Sequence, residues 1–127
     1  MIFKFRAWDK KFNYMEYTDR NLVVSFSNEG VVVEDHSTFS ASCIAMQDYD
    51  LMQFSGYKDI NAVDIYPQDV VKTHYSKHGK IIGVVGDTAS GFKVYGIHEY
   101  KGLVADLDDS YEVIGNVYEN YGLTVGD

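Results

Sequence analysis

The chain has 127 residues, enough for one folding domain or two small lobes sharing a core and too few for two independent enzyme domains. Its 46% apolar and 15% aromatic residues exclude disorder along the whole chain, and one proline against 11 glycines excludes a collagen-like or proline-rich character. Nineteen acidic against 11 basic residues give a net charge of −8, which opposes generic binding to phosphate backbones or anionic lipid and suits either a basic partner or plain solubility.

Apolar residues come in short β-branched and aromatic runs between turn residues, so the expectation is an all-β chain with few short helices. Phe3, Phe5 and Ala7 alternate with Lys4 and Arg6 as a half-buried strand. Asp9-Lys10-Lys11 with Asn13 then reads as a turn into a second strand at Tyr14 to Thr18. Leu22 to Phe26 and Val31 to Glu34 flank Ser27-Asn28-Glu29-Gly30, whose Asn and Gly supply the positive φ angles of a tight hairpin. Phe39 to Phe54 is mixed and reads as a strand ending at Gly56, with room for a short helix before it. Val70-Val71, Ile81 to Val85, Phe92 to Ile97 and Tyr111 to Tyr118 recur at the close spacing of a small barrel or sandwich.

Net charge by segment is 0 over residues 1–34, −5 over 35–69, +3 over 70–102 and −6 over 103–127, so acidic blocks bracket a basic middle. No stretch approaches the roughly 20 apolar residues of a membrane span, and charge interrupts the N-terminus before an apolar signal segment can form. A single cysteine, Cys43, forms no internal disulfide; it reads as a small core residue in a reducing cytoplasm.

Gly86-Asp87-Thr88-Ala89-Ser90-Gly91-Phe92-Lys93 has the glycines of a phosphate-binding loop, but Phe92 stands where the lysine belongs and Lys93 where a hydroxyl would hold magnesium. A hairpin loop is the reading. His74 and His78 have the spacing of a shared metal on a helix, yet Tyr75-Ser76-Lys77 and Gly79 favour a strand leading to a solvent-exposed turn. Asp106, Asp108, Asp109 and Glu112 form the densest acidic cluster. They lack the glycine and the terminal Glu of an EF-hand and read as a solvated turn before the last strand. No Gly-x-Ser-x-Gly elbow exists, and Cys43 has no histidine near it in sequence, so no catalytic set, metal site or cofactor is expected.

Three ordered segments carry a resemblance: Lys4-Phe5-Arg6-Ala7-Trp8-Asp9 with Lys11 and Met15; Met52-Gln53-Phe54-Ser55-Gly56-Tyr57-Lys58-Asp59 with Ile65-Tyr66 and Asp69-Val70-Val71; and Glu112-Val113-Ile114-Gly115-Asn116-Val117-Tyr118-Glu119-Asn120. Together they resemble the YopX family of small phage and prophage proteins. Ala62 and Gln68 stand where that family usually has glycine-containing turns, and Tyr121 where it tends to place a proline. The signatures read as architecture: Trp8 as an anchor, Gly56 and Gly115 as bends or close approaches, Asp69 as the turn acid opening a strand. The resemblance implies one YopX-like domain over residues 1–127, with sub-lobes 1–50 and 51–127, and strongly bent sheets with an SH3-like barrel portion. It implies no catalytic residues.

The leading expectation is therefore a non-enzymatic, acidic module in the cytoplasm of a bacterial host that binds a host or phage protein. Asp48, Asp50, Asp106, Asp108, Asp109 and Glu112 are its candidate face. The alternative is nucleic-acid binding through Lys72, Lys77, Lys80, Lys93 and Lys101, with Tyr75, Tyr95 and Tyr100 as stacking platforms, which the acidic balance disfavours. A third reading, a metal-dependent enzyme, would gather His74, His78 or His98 with acids. Exposed strand edges also permit a homo-oligomer.

Overall fold

The computed structural model describes residues 4–37, 42–44, 46–73 and 79–124; its regular elements are strands and single turns of 3-10 helix. The protein is all-β, and no helix among the described residues is long and apolar enough to cross a membrane. Two compact units divide at Gln53 and Phe54.

In the first unit, β1 (Phe5–Asp9), β2 (Tyr14–Tyr17) and β6 (Tyr49–Gln53) form an antiparallel sheet of order β2-β1-β6. A second sheet, β3-β4-β5, is built from Leu22–Ser27, Gly30–Asp35 and Ser42–Cys43. Ala7, Leu22, Val33 and Tyr49 make the core, with Val24, Val31, Ile44 and Leu51 against it. The β3–β4 hairpin pairs from Leu22–Asp35 down to Ser27–Gly30, leaving Asn28-Glu29 as a two-residue turn; Gly30 takes φ +126° as its composition predicted, whereas Asn28 does not enter the positive-φ region. At the β1–β2 turn, buried Asp9 accepts the amides of Lys11 and Phe12, both at 2.9 Å, and Asn13 takes φ +56°.

Two expectations fail here. Arg6 is not on an exposed face: β1 is a central strand with neighbours on both sides, and Arg6 is only 2% exposed, its Nε–H directed at Met52 Sδ at 3.4 Å. The strand expected to end at Gly56 stops at Gln53, because β1 begins at Phe5, the partner of Gln53, and the ladder has no further rung. A 3-10 turn over Met46–Asp48 precedes it. Gly56 lies beyond, at φ +88°.

The second unit is a five-stranded antiparallel sheet of order β10-β9-β8-β7-β11, made from β7 (Asp69–Thr73), β8 (Ile82–Thr88), β9 (Gly91–Gly96), β10 (Val104–Asp106) and β11 (Tyr111–Asn116). It is open: among the described residues no ladder joins β10 to β11. Ile65, Val71, Ile81, Val85, Val94, Leu107 and Tyr111 fill its core. Gly86 to Gly91 is a hairpin, with Ala89-Ser90 as its turn, and the last strand ends at Asn116 rather than Tyr118. It ends there because Asn116 Oδ1 accepts the amides of Tyr118 and Glu119, at 3.0 and 2.8 Å, and draws the chain into a turn. Gly115 sits at a register shift in β11, where a Cβ would come within 2.6 Å of Asn120 Oδ1.

Residues 54–68 are fixed to this sheet by two buried carboxylates. Asp59, 6% exposed, accepts the amides of Asn61 (2.8 Å) and Val63 (2.9 Å) on Oδ1 and of Val113 in β11 (2.9 Å) on Oδ2. Asp69 Oδ2 accepts the Tyr66 amide at 2.8 Å. Between them Ala62 and Gln68 adopt φ +63° and +72°, the left-handed region that glycine enters without steric cost. Gln68 is held there by its backbone, donating to Val85 O at 2.7 Å and accepting from Val117 N at 3.0 Å.

Asp59→Asn should lower stability by about 2 kcal/mol in urea unfolding, because the amide oxygen can serve only one side and its NH₂ would face backbone donors on the other. Ala62→Gly should raise stability by about 0.5–1 kcal/mol, the relief of the left-handed conformation exceeding the added freedom of the unfolded chain.

Candidate protein-binding face

The acidic cluster of residues 106–112 is not one turn. Asp106 closes β10, Asp108 and Asp109 occupy the connection, and Glu112 lies within β11. The connection is pinned at both ends by side chains that enter the core, Leu107 at 4% and Tyr111 at 3% exposure, so the chain between them bows outward and leaves Asp108 and Asp109 exposed. Asp108 Oδ1 accepts the Ser110 amide at 2.8 Å and the Ser110 hydroxyl, which sets the shape of the turn.

Cross-strand register decides which acids remain available. Asp106 faces Lys93 on β9 and forms an ion pair with it; Glu112 faces Lys72 on β7 and pairs with it at 3.3 Å. Two members of the acidic set are thus neutralised by two members of the basic set. Of the other lysines, Lys80 and Lys101 are exposed, Tyr95 is exposed and Tyr100 half-buried, while Tyr75 and Lys77 lie outside the described residues. Asp48 and Asp50 belong to the first unit: Asp50 pairs with Lys10 at 3.3 Å, and the Asp48 carbonyl accepts the Lys10 amide at 2.8 Å.

Beside the acidic turn lies an apolar strip that was not anticipated. Alternation on β9 and β10 turns Val94 and Ala105 inward and the register pair Tyr95–Val104 outward, and Leu103 precedes them. Val104 is 58%, Leu103 53% and Tyr95 41% exposed. Within the run Gly102-Leu103-Val104-Ala105-Asp106, only the sheet reveals that Leu103 and Val104 face water while Ala105 packs inward.

The negative field of the turn reaches a core phenol: burial first, then Asp108 and Asp106, push the Tyr111 hydroxyl above its ordinary value of 10.0. His98 adopts φ +55° and its Nε2 contacts the Leu123 carbonyl oxygen at 2.6 Å. His74 and His78, and the side chain of Cys43, lie outside the described residues. Among the described residues no three of His, Cys, Asp and Glu are grouped to hold a metal.

The model of the YopX protein family matches residues 4–123, and the chain belongs to the YopX family. It is similar to the crystal structure of protein EF1440 from Enterococcus faecalis, with a TM-score of 0.60 and 25% identity over 98% of this chain and 99% of that one. No curated protein matches the chain.

A phenol whose folded pKa lies above its unfolded one holds its proton more tightly when folded, so its contribution to stability is intact below about pH 10 and is lost as pH rises beyond it. Tyr111→Phe should therefore flatten the fall in urea midpoint between about pH 9 and pH 11 relative to the unmodified chain.

Proposed function

We propose that this member of the YopX family is a non-enzymatic protein-binding module, encoded by a phage or prophage and acting in the host cytoplasm, that engages a basic surface of a host or phage protein through its second unit. The observation that carries this reading is the outward turn of Asp108 and Asp109, fixed between two core anchors at the end of the strand that carries exposed Val104, with exposed Leu103 just before it. An apolar strip with an acidic rim suits a protein surface in which apolar and basic groups alternate. Lys72 and Lys93 are engaged with Glu112 and Asp106, which weakens the nucleic-acid alternative by removing two of its five cations from the field a phosphate would meet.

We read the second unit as SH3-like in its strand order, with a strongly bent sheet. In support, β10 and β11 stand at opposite ends of five strands, about 19 Å apart if flat at four spacings of roughly 4.8 Å. The five steps from Asp106 to Tyr111 reach at most about 18 Å, which favours a curled sheet.

Charge reversal tests the functional reading. Asp108→Lys with Asp109→Lys should lower binding to a protein captured from the infected host by about tenfold or more at low salt and leave the urea midpoint nearly unchanged. Capture that ignores the reversal would overturn the acidic face, and a salt-dependent mobility shift of DNA abolished by Lys80→Glu with Lys101→Glu would replace it with the basic one.

A further inference from the structure

The edge of β10 offers more than charge. Gly96 N–H donates to Leu103 O at 2.9 Å and Leu107 N–H to Phe92 O at 3.1 Å, so the Leu103 carbonyl and the Leu107 amide face β9. In an antiparallel ladder alternate residues face the same neighbour, so Ala105 also faces β9, and the amide and carbonyl of Val104 point to the open side. β10 ends the sheet, and its outward flank bears Leu103 and Val104 with no proline or bulge among its three residues.

We propose that β10 receives an extended segment of the partner as an added strand, the segment carrying apolar residues against Leu103, Val104 and Tyr95 and lysine or arginine residues reaching Asp108 and Asp109. This rests on the acidic-face reading and specifies how the partner is gripped: main-chain bonds at Val104 give attachment and the acidic turn selects sequence. Charge complementarity favours this occupant over a second copy. A second copy would bring a net charge of −8 to a chain of the same charge, whereas a segment bearing lysine or arginine meets the acidic turn with the opposite sign.

The test uses the full chain and a short synthetic peptide alternating valine and lysine, followed by fluorescence anisotropy and by hydrogen exchange of the Val104 amide. The peptide should bind and slow that exchange by about tenfold or more. Val104→Pro, which removes only an outward N–H, should weaken binding by a similar factor; the exchange measurement on the unmodified chain stands even where this variant folds poorly.

Equal binding of a peptide with prolines at alternate positions would overturn strand addition while leaving the acidic face intact. Binding that persists through Asp108→Lys with Asp109→Lys would overturn the acidic face itself. No binding of the valine-lysine peptide, or equal binding of one alternating valine and glutamate, would overturn the inference. So would a concentration-dependent dimer that protects Val104 without peptide, which would assign the edge to a second copy.

Discussion

A carboxylate with 6% of its surface exposed has to accept hydrogen bonds from the protein, and at Asp59 they come from three backbone amides, two in its own loop and one in β11. The same solution recurs. Asp9 holds the β1–β2 turn, Asp69 the entry to β7, and Asn116 the turn after β11, where it also receives the Asn120 amide on its carbonyl at 3.0 Å. Each of these residues sits inside one of the three segments by which the chain resembles its family. The segments hold the points at which a chain with few long strands closes its turns, and three of the four acceptors are carboxylates, which bind amides more strongly than neutral groups do.

That constraint explains why the fold class was legible and its details were not. Period-two alternation and the Asn28 to Gly30 turn announce a hairpin locally, and the structure has it rung for rung. Burial of Arg6 could not be read, because alternation reports that two faces differ and does not report that a strand is central in its sheet. β10 escaped notice because three residues are too few for a pattern, and it exists through its rungs to β9. Ala62 and Gln68 were visible only as departures from the family's glycines. The positive φ of Gln68 is held by partners distant in sequence, Val85 and Val117, which no local propensity encodes, while Ala62 closes a local turn on Asp59 O at 3.0 Å.

The site was legible as charge and illegible as geometry. Read along the chain, residues 70–102 are basic and 103–127 acidic, which fits either internal charge complementarity or two differently charged faces. Antiparallel pairing interleaves the two segments: β9 lies beside β10 and β7 beside β11, so Lys93 meets Asp106 and Lys72 meets Glu112. Asp106 has a side chain 81% exposed, so its ion pair adds little to stability. Its consequence is to subtract charge from both candidate faces, which leaves Asp108 and Asp109 as the exposed members of the 106–112 cluster outside these ion pairs.

Rigidity then links the core to recognition. Leu107 and Tyr111 are only four residues apart and both lie in the core, so the turn between them has few conformations left to lose, and Asp108 spends one carboxylate oxygen on Ser110 to fix it further. A partner meeting this turn finds its charges already placed, and the ordering entropy that a flexible acidic loop would forfeit on binding has been lost during folding. The same anchors bring Asp108 and Asp106 close enough to a core phenol to raise its pKa. The residues that stabilise the sheet are thus those that hold the acidic turn, and loss of core packing at either anchor would release both together.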